Sequence, residues 1–405
     1  MHRFFMNRFF QSRIEEKQET SSMTVNTTQL KKNERMIFDL RAMYARYGYS
    51  QFKIRKFEEF ELYVKNKDFL ESVNVITFTD TNGKLMALKP DVTLSVVKNS
   101  GDVPGTVQKV YYNENIYRVS KRSHMFEELM QVGIECIGDI DDYNIFEVLM
   151  LALKTLRSIS EKSILDVSNL DIVSAILSDY HVSDSTRIKM LHCLGDKNIH
   201  TLRKICEEND VSPGGIEVLE KLTRIYVRPE KVLPKLRSLL KGGAIEEPAL
   251  TRTLAAVDDL ERIIDTFTDM KLRDMIRLDF SVVSDVNYYN GIVFNGFIRG
   301  IPDCVISGGQ YDRLMQKMKR KSGAIGFGVY MDRLERLLEE TQEYDIDVLL
   351  LYDEDADSHD LNDAVRTMTK AGQTVLAQRR IPEKLRYRTL MRLEGGEVTT
   401  IEADA

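Results

Sequence analysis

Ser284-Asp285-Val286-Asn287-Tyr288-Tyr289-Asn290-Gly291-Ile292-Val293-Phe294, followed closely by Ser307-Gly308-Gly309-Gln310-Tyr311-Asp312, is the stretch whose reading decides the fold. Strand patterning runs through residues 276–283 and 291–298 and returns at 304–307, so neighbouring strands are predicted, with glycine turns at Gly291 and at Gly308-Gly309. A helix is expected to begin near Tyr311. At the entry to these strands the adjacent Tyr288 and Tyr289 offer two hydroxyls and a flat apolar wall.

Toward the N-terminus, Met36, Ile37, Leu40, Met43, Tyr44 and Tyr47 recur on one helical face, with Gly48 as the stop. Residues 75–78 and 85–88 flank Asp80-Thr81-Asn82-Gly83-Lys84, and Asn82-Gly83 predicts a hairpin because both turn residues tolerate positive φ. Further strands are expected at 107–112 and 130–136, separated by a charged loop over 118–128. Ile145, Val148, Leu149, Ala152 and Leu156 mark a second helix against the core. From 177 to 273 the periodicity is helical, with breaks at Pro213-Gly214-Gly215 and Gly242-Gly243. A strand at 345–351 and a helix at 360–371, ended by Gly372, close the chain.

Antiparallel strands interrupted by helices indicate an α+β architecture. The expected organisation is a disordered leader over 1–22, a core over 23–176 and 274–341, a helical insertion over 177–273, and a short C-terminal α/β appendage over 342–405. The leader is basic and aromatic, but Glu15, Glu16 and Glu19 follow it closely, which speaks against a signal or transit peptide; a start at Met23 is the alternative.

The 405 residues, 43% hydrophobic and 30% charged, suit a globular protein of two or three domains. A net charge of −6 supplies no general attraction to a polyanion. Cys136, Cys193, Cys206 and Cys304 lack metal-site spacing and read as thiols of a reducing, cytoplasmic compartment. No run approaches the roughly 18 apolar residues of a membrane span. No Walker, Gly-x-Ser-x-Gly or zincin motif occurs, and no cofactor or metal is expected. Asp353-Glu354-Asp355-Ala356-Asp357 lacks the glycine and terminal glutamate of a calcium loop and reads as a solvated acidic loop; Lys319-Arg320-Lys321 reads as a solvated basic one.

Within the strand expected at 130–136, Gln131, Gly133 and Glu135 share one face, so two polar side chains converge over a small residue that leaves space for a ligand. Lys89-Pro90-Asp91-Val92-Thr93, taken alone, is a turn with Asp91 capping a helix; an acid there also suits an ammonium ligand, and one residue can serve both roles.

Together these blocks resemble the histidyl-tRNA synthetases over roughly residues 30–340. The opening stretch is similar to that family's Arg-Gly-Leu-Asp-Tyr-Tyr-Asn and Gly-Gly-Arg-Tyr-Asp, the Lys89 to Thr93 block to its Leu-Arg-Pro-Glu-Gly-Thr, and Gln131 to Glu135 to its Gln-x-Gly-x-Glu. The resemblance implies a class II synthetase fold, with an antiparallel sheet flanked by helices. It also implies a histidine pocket of Asp91, Thr93, Gln131, Glu135, Tyr288 and Tyr289.

Departures fall on the nucleotide side. Ser284 stands where the family has the arginine that steadies adenylate formation, and a serine hydroxyl cannot replace a fixed cation in a closed site. Ser120 replaces an acid, Glu127 and Glu128 put negative charge where the family has a basic loop, and Tyr330 replaces a glycine. Arg55 stands where a first-motif proline is expected. Arg118 and Arg333 survive as vestiges of the nucleotide site. This combination resembles the regulatory subunits of ATP phosphoribosyltransferase, the histidyl-synthetase paralogues of histidine biosynthesis. That likeness implies no catalytic residue and a homodimer within a hetero-oligomer. The implied partner is a short catalytic subunit, which the chain activates and through which L-histidine inhibits, without a role for transfer RNA. The alternatives are a divergent histidyl-tRNA synthetase and a stand-alone amino-acid sensor.

Overall fold

The computed structural model describes residues 30–66, 75–120, 123–283, 288–338 and 343–403. The leader over 1–22, Lys121 and Ser284 lie outside them. The chain divides into two compact units, residues 1–338 and 339–405.

The strands of the first unit are β1 (Ser50–Gln51), β2 (Phe57–Glu59), β3 (Thr77–Thr79), β4 (Leu85–Leu88), β5 (Val107–Val119), β6 (Phe126–Gly138), β7 (Ser163–Asn169), β8 (Ile276–Leu278), β9 (Asn290–Ile298), β10 (Ile306–Gln310) and β11 (Gly323–Tyr330). An eight-stranded sheet has the order β1-β5-β6-β11-β10-β9-β7-β8, and β2-β4-β3 form a small second sheet. The large sheet is antiparallel except at β1–β5 and β7–β8.

The predicted charged loop is absent at both ends of 118–128, where Arg118-Val119 and Phe126-Glu127-Glu128 are strand. β5 and β6 continue as a ladder to Val119↔Phe126, with Arg118 opposite Glu127 and Tyr117 opposite Glu128, so cross-strand pairs extend the ribbon through charged sequence. The turn predicted at Gly308-Gly309 is likewise absent. Both glycines lie inside β10, where a Cβ on Gly308 would come within 2.4 Å of the Gly326 carbonyl oxygen and 2.5 Å of Phe327 Cβ. Close packing, not chain reversal, demands glycine there. The strand expected over 276–283 ends at Leu278, because Asp279 Oδ1 accepts from the Ser281 amide at 2.9 Å and turns the chain.

Helix Asp142–Ile159 packs on the sheet. Asp141 starts it by accepting from the Asn144 amide at 2.9 Å, while Asn144 Oδ1 accepts from the Asp141 amide at 3.2 Å. Its buried stripe includes Val148, Leu149, Ala152 and Leu156, and Leu156 lies directly over Gly296 of β9. Each such leucine stabilises by about 1.5–3 kcal/mol relative to exposure. Between β7 and β8 the chain forms helices from Leu170–Asp179 to Met270–Arg273, joined to the sheet by a continuous apolar core.

One polar cluster ties that helical segment to the sheet. Lys197 donates to Asp279 Oδ2 at 2.8 Å, the Leu278 amide donates to the Val227 carbonyl at 2.9 Å, and the Tyr226 phenol hydrogen-bonds Asp166. Asp166 is buried, and its Oδ1 has no hydrogen-bond partner among the described residues. Burial, and then the Asp279 charge, push its carboxyl up to about 7. A raised carboxyl contributes stability in full below its unfolded value near about 4, and that contribution is lost as pH rises through the folded value. Asp166→Asn is therefore expected to gain melting temperature relative to the wild type as pH rises from 5 to 8, a difference that thermal unfolding across that range reads.

The second unit holds β12 (Ile346–Tyr352), β13 (Val375–Gln378), β14 (Tyr387–Glu394) and β15 (Glu397–Ala403) in the order β13-β12-β14-β15. Helix Ser358–Lys370 covers Val348, Leu350 and Leu393 with Leu361, Val365 and Met368. The acidic run has structural duties: Asp357 caps this helix through the His359 amide at 2.7 Å, while Asp353 and Glu354 pair with Arg392 and Arg379.

Candidate functional site

Strand parity builds the site. Gln131, Gly133 and Glu135 lie on one face of β6, and β11 runs beside it with Tyr330 opposite Gln131, Gly328 opposite Gly133 and Gly326 opposite Glu135. Gly326 leaves the space that Glu135 fills, since a Cβ there would lie 1.8 Å from Glu135 Oε2. Next along the sheet, Gly309 of β10 seats the Tyr289 ring, whose Cδ1 would be 2.9 Å from an added Cβ. Glycines thus clear the sheet surface, and side chains from its edges close over it.

Glu135 is the centre. It is 1% exposed, Oε1 accepts from the Thr93 hydroxyl at 2.7 Å, and Oε2 accepts from the Tyr311 phenol at 2.6 Å. Burial pushes its carboxyl up to about 8; the two hydroxyl donors pull it down, and the nearby Asp91 charge pushes it up again. Asp91 Oδ1 accepts from the Leu94 amide at 2.8 Å and so starts helix Thr93–Asn99, which sets the Thr93 hydroxyl toward Glu135. Tyr288 and Tyr289 pack edge to face with centroids 4.6 Å apart, and Tyr311 stands 5.9 Å from Tyr288. Burial first, then Asp91, raise the Tyr288 phenol well above its ordinary value, while a hydrogen bond with Thr93 opposes them. Gln131 is buried two same-face steps along β6, beyond Gly133.

The structure therefore brings Asp91, Thr93, Gln131, Glu135, Tyr288 and Tyr289 together. It adds two residues that pattern reading passed over. Tyr311 holds Glu135; its place in Gln310-Tyr311-Asp312 marks it in the sequence only as the start of a helix. Tyr112 on β5 lies opposite Gly133, with its hydroxyl 3.5 Å from the Phe327 carbonyl oxygen. Other members of the opening stretch are scaffold: Asn290 and Asp312 exchange hydrogen bonds at 2.7 and 2.8 Å, and Gln310 Oε1 accepts from the Ile292 amide at 2.7 Å beside Gly291, whose φ is +52°.

Arg118 and Arg333 converge on Tyr330. The Arg333 guanidinium lies 4.1 Å from the centroid of the Tyr330 ring and donates to Cys304, with Nη1 3.1 Å from Sγ. Arg118 donates Nε to the Pro90 carbonyl at 2.9 Å, and its charge opposes the burial that raises the Tyr330 phenol. Glu128 accepts from Asn115 at 2.5 Å and Tyr117 at 3.0 Å as part of the β5–β6 ribbon. Lys89 is fully buried with Glu114 at 2.9 Å, and Asp102 holds the Arg320 to Ser322 segment by accepting from the Lys321 amide at 3.0 Å.

A family model described as histidyl-tRNA synthetase matches residues 24–334. The chain belongs to the histidyl-tRNA synthetase family. Within it, the chain is 21% identical over 310 residues to the ATP phosphoribosyltransferase regulatory subunit of Oceanobacillus iheyensis, which covers 76% of this chain and 74% of that one. Among solved structures it is similar to an ATP phosphoribosyltransferase regulatory subunit/histidyl-tRNA synthetase from Bacillus halodurans, with TM-score 0.71, 20% identity, and coverage of 86% of this chain and 88% of that one. It also resembles a chain of the ATP phosphoribosyl transferase (HisG:HisZ) complex from Thermotoga maritima, with TM-score 0.55, 16% identity, and coverage of 73% and 96%. These structures establish a histidyl-tRNA synthetase fold, an α+β arrangement of sheet and flanking helices.

Proposed function

We propose that this chain is the non-catalytic regulatory subunit of an ATP phosphoribosyltransferase, binding L-histidine in the Glu135 pocket and associating with a separate short catalytic chain. The observation that carries the reading is the contrast between the two ends of the site. At the amino-acid end, carboxylates, hydroxyls and aromatic rings converge on cleared sheet surface. At the other end the two retained arginines are engaged with Tyr330 and its surroundings. A guanidinium already stacked on a phenol ring at 4.1 Å is occupied where a synthetase would need it for a nucleotide. The curated relatives bear the regulatory-subunit name, and the similar Thermotoga maritima chain comes from an ATP phosphoribosyl transferase (HisG:HisZ) complex.

Histidine acts through linkage: bound in this pocket, it stabilises whichever arrangement of the complex binds it better. Substrates that favour the active arrangement must then weaken histidine binding by the same factor. The reading includes a cytoplasmic location, a homodimer within the hetero-oligomer, no cofactor, and no transfer RNA. Among the described residues no helix is long and apolar enough to cross a membrane.

The test is phosphoribosyl-ATP formation by the short catalytic chain from the same source, with and without this protein, across a histidine titration. Stimulation by the protein followed by loss of activity with histidine is expected. A folded transferase that ignores this protein would overturn the reading, and histidine-dependent exchange of pyrophosphate into ATP by the pure chain would return it to the synthetases.

A further inference from the structure

The centre of the pocket holds a buried acid with no cation beside it among the described residues. Glu135 is 1% exposed, and its hydrogen-bond partners among the described residues are both neutral hydroxyls, Thr93 and Tyr311. Nearby cations are engaged elsewhere: Lys89 with Glu114, Arg118 with the Pro90 carbonyl, and Arg333 with Cys304 and the Tyr330 ring. The groups that face Glu135 from the packed elements add no positive charge. They are Asp91 from the turn before helix Thr93–Asn99, Tyr112 from β5, Tyr288 from the entry to β9 and Tyr311 from the end of β10. An ionised carboxylate in such a place is costly unless something positive joins it.

We propose that the ligand-free pocket carries one proton on Glu135, and that this proton passes to the ring nitrogen of an imidazole ligand on binding. The bond from a Glu135 oxygen to hydrogen breaks as the nitrogen–hydrogen bond forms, leaving a carboxylate paired with an imidazolium and no net proton exchanged with solvent. This deepens the histidine-binding reading and rests on it. The Thr93 hydroxyl, shared between Glu135 and Tyr288, can turn from donor to acceptor and so serve either state of the acid. Burial places the Glu135 transition near 8, above the free imidazole value near about 6.5, so across neutral pH the proton resides in the pocket and not on the free ligand.

The consequence is a defined pH profile. From pH 7 to 7.5 binding should exchange almost no protons with buffer. Above about 8 each bound histidine must draw a proton from solvent, and affinity should approach a tenfold fall per pH unit. Isothermal titration calorimetry of the full chain with L-histidine at pH 7 to 9, in pairs of buffers with different ionisation enthalpies, measures both quantities. In Glu135→Gln the pocket proton is gone, so binding should be weaker and its fall between pH 7.5 and 9 shallower. Tyr311→Phe removes a hydroxyl that favours the carboxylate, and should move the wild-type break to higher pH. Affinity that is flat from pH 7 to 9 in the wild type would overturn the inference while histidine binding stands. An identical fall in wild type and Glu135→Gln would assign the titration to the ligand's own ammonium and also overturn it. Absence of any binding by the folded chain would remove the histidine reading itself, and this inference with it.

Discussion

Gly326→Ala is expected to abolish histidine binding at millimolar ligand and to lower the melting temperature by several degrees. One methyl group accounts for both effects. The added Cβ would lie 1.8 Å from Glu135 Oε2 and 2.5 Å from the Ile134 carbonyl oxygen, well inside contact distance, and one of those atoms is backbone of the neighbouring strand. The strand cannot yield without spreading the β6–β11 ladder, so Glu135 must rotate, which breaks its hydrogen bonds to Tyr311 and Thr93. Overpacking of this kind costs about 1–3 kcal/mol, and stranding a buried acid adds about 1–3 kcal/mol. Gly328→Ala is the control: two residues along the same strand its Cβ would meet the Tyr112 hydroxyl at 3.3 Å and Gln131 only at 4.0 Å. Thermal unfolding and histidine titration of the two variants side by side should separate them clearly. Equal, near-wild-type behaviour would mean that Glu135 does not occupy the place described.

The second large effect is at Glu135 itself. Glu135→Ala should reduce histidine affinity roughly tenfold to a hundredfold, the range set by losing one or two hydrogen bonds to a charged group. Activation of the catalytic partner should persist. Catalytic rate at saturating substrate, measured with and without histidine, separates the two roles, because an interface change would lower stimulation and a pocket change would lower inhibition. Unaltered histidine inhibition would remove Glu135 from the site. Truncation also relieves a strained requirement: a fully buried carboxyl held well above its ordinary range stabilises the protein less than a neutral side chain of fitting shape. The variant should accordingly remain folded at neutral pH.

Much of this site was legible in order along the chain. Gln131, Gly133 and Glu135 announce a shared face through the two-residue repeat of a strand, and Asp91 before Thr93 announces a helix start, since both patterns are local. Helix Asp142–Ile159 is equally local, its cap and its stripe spelled by neighbours. Local sequence misled where pairing across strands decided the outcome. Arg118-Val119 and Phe126-Glu127-Glu128 look like the flanks of a loop, yet the long ladder between β5 and β6 holds them as strand. Gly308-Gly309 looks like a turn, yet it is strand, with glycine required by Phe294 and Phe327 from both neighbours.

What the sequence by itself determined is the family, the alternation of helix and strand, and the residues that gather around Glu135. Each of these depends on residue types at short, fixed spacings. Only the tertiary structure decided what those residues do to one another. Tyr311 and Glu135 are 176 positions apart, and their 2.6 Å contact exists because β10, β11 and β6 lie side by side. The same stacking buries Glu135 away from any cation among the described residues and leaves Arg333 engaged on Tyr330. Charge, burial and proximity belong to the packed sheet, because the cost of an isolated carboxylate is set by everything around it in space and not by its neighbours in the chain.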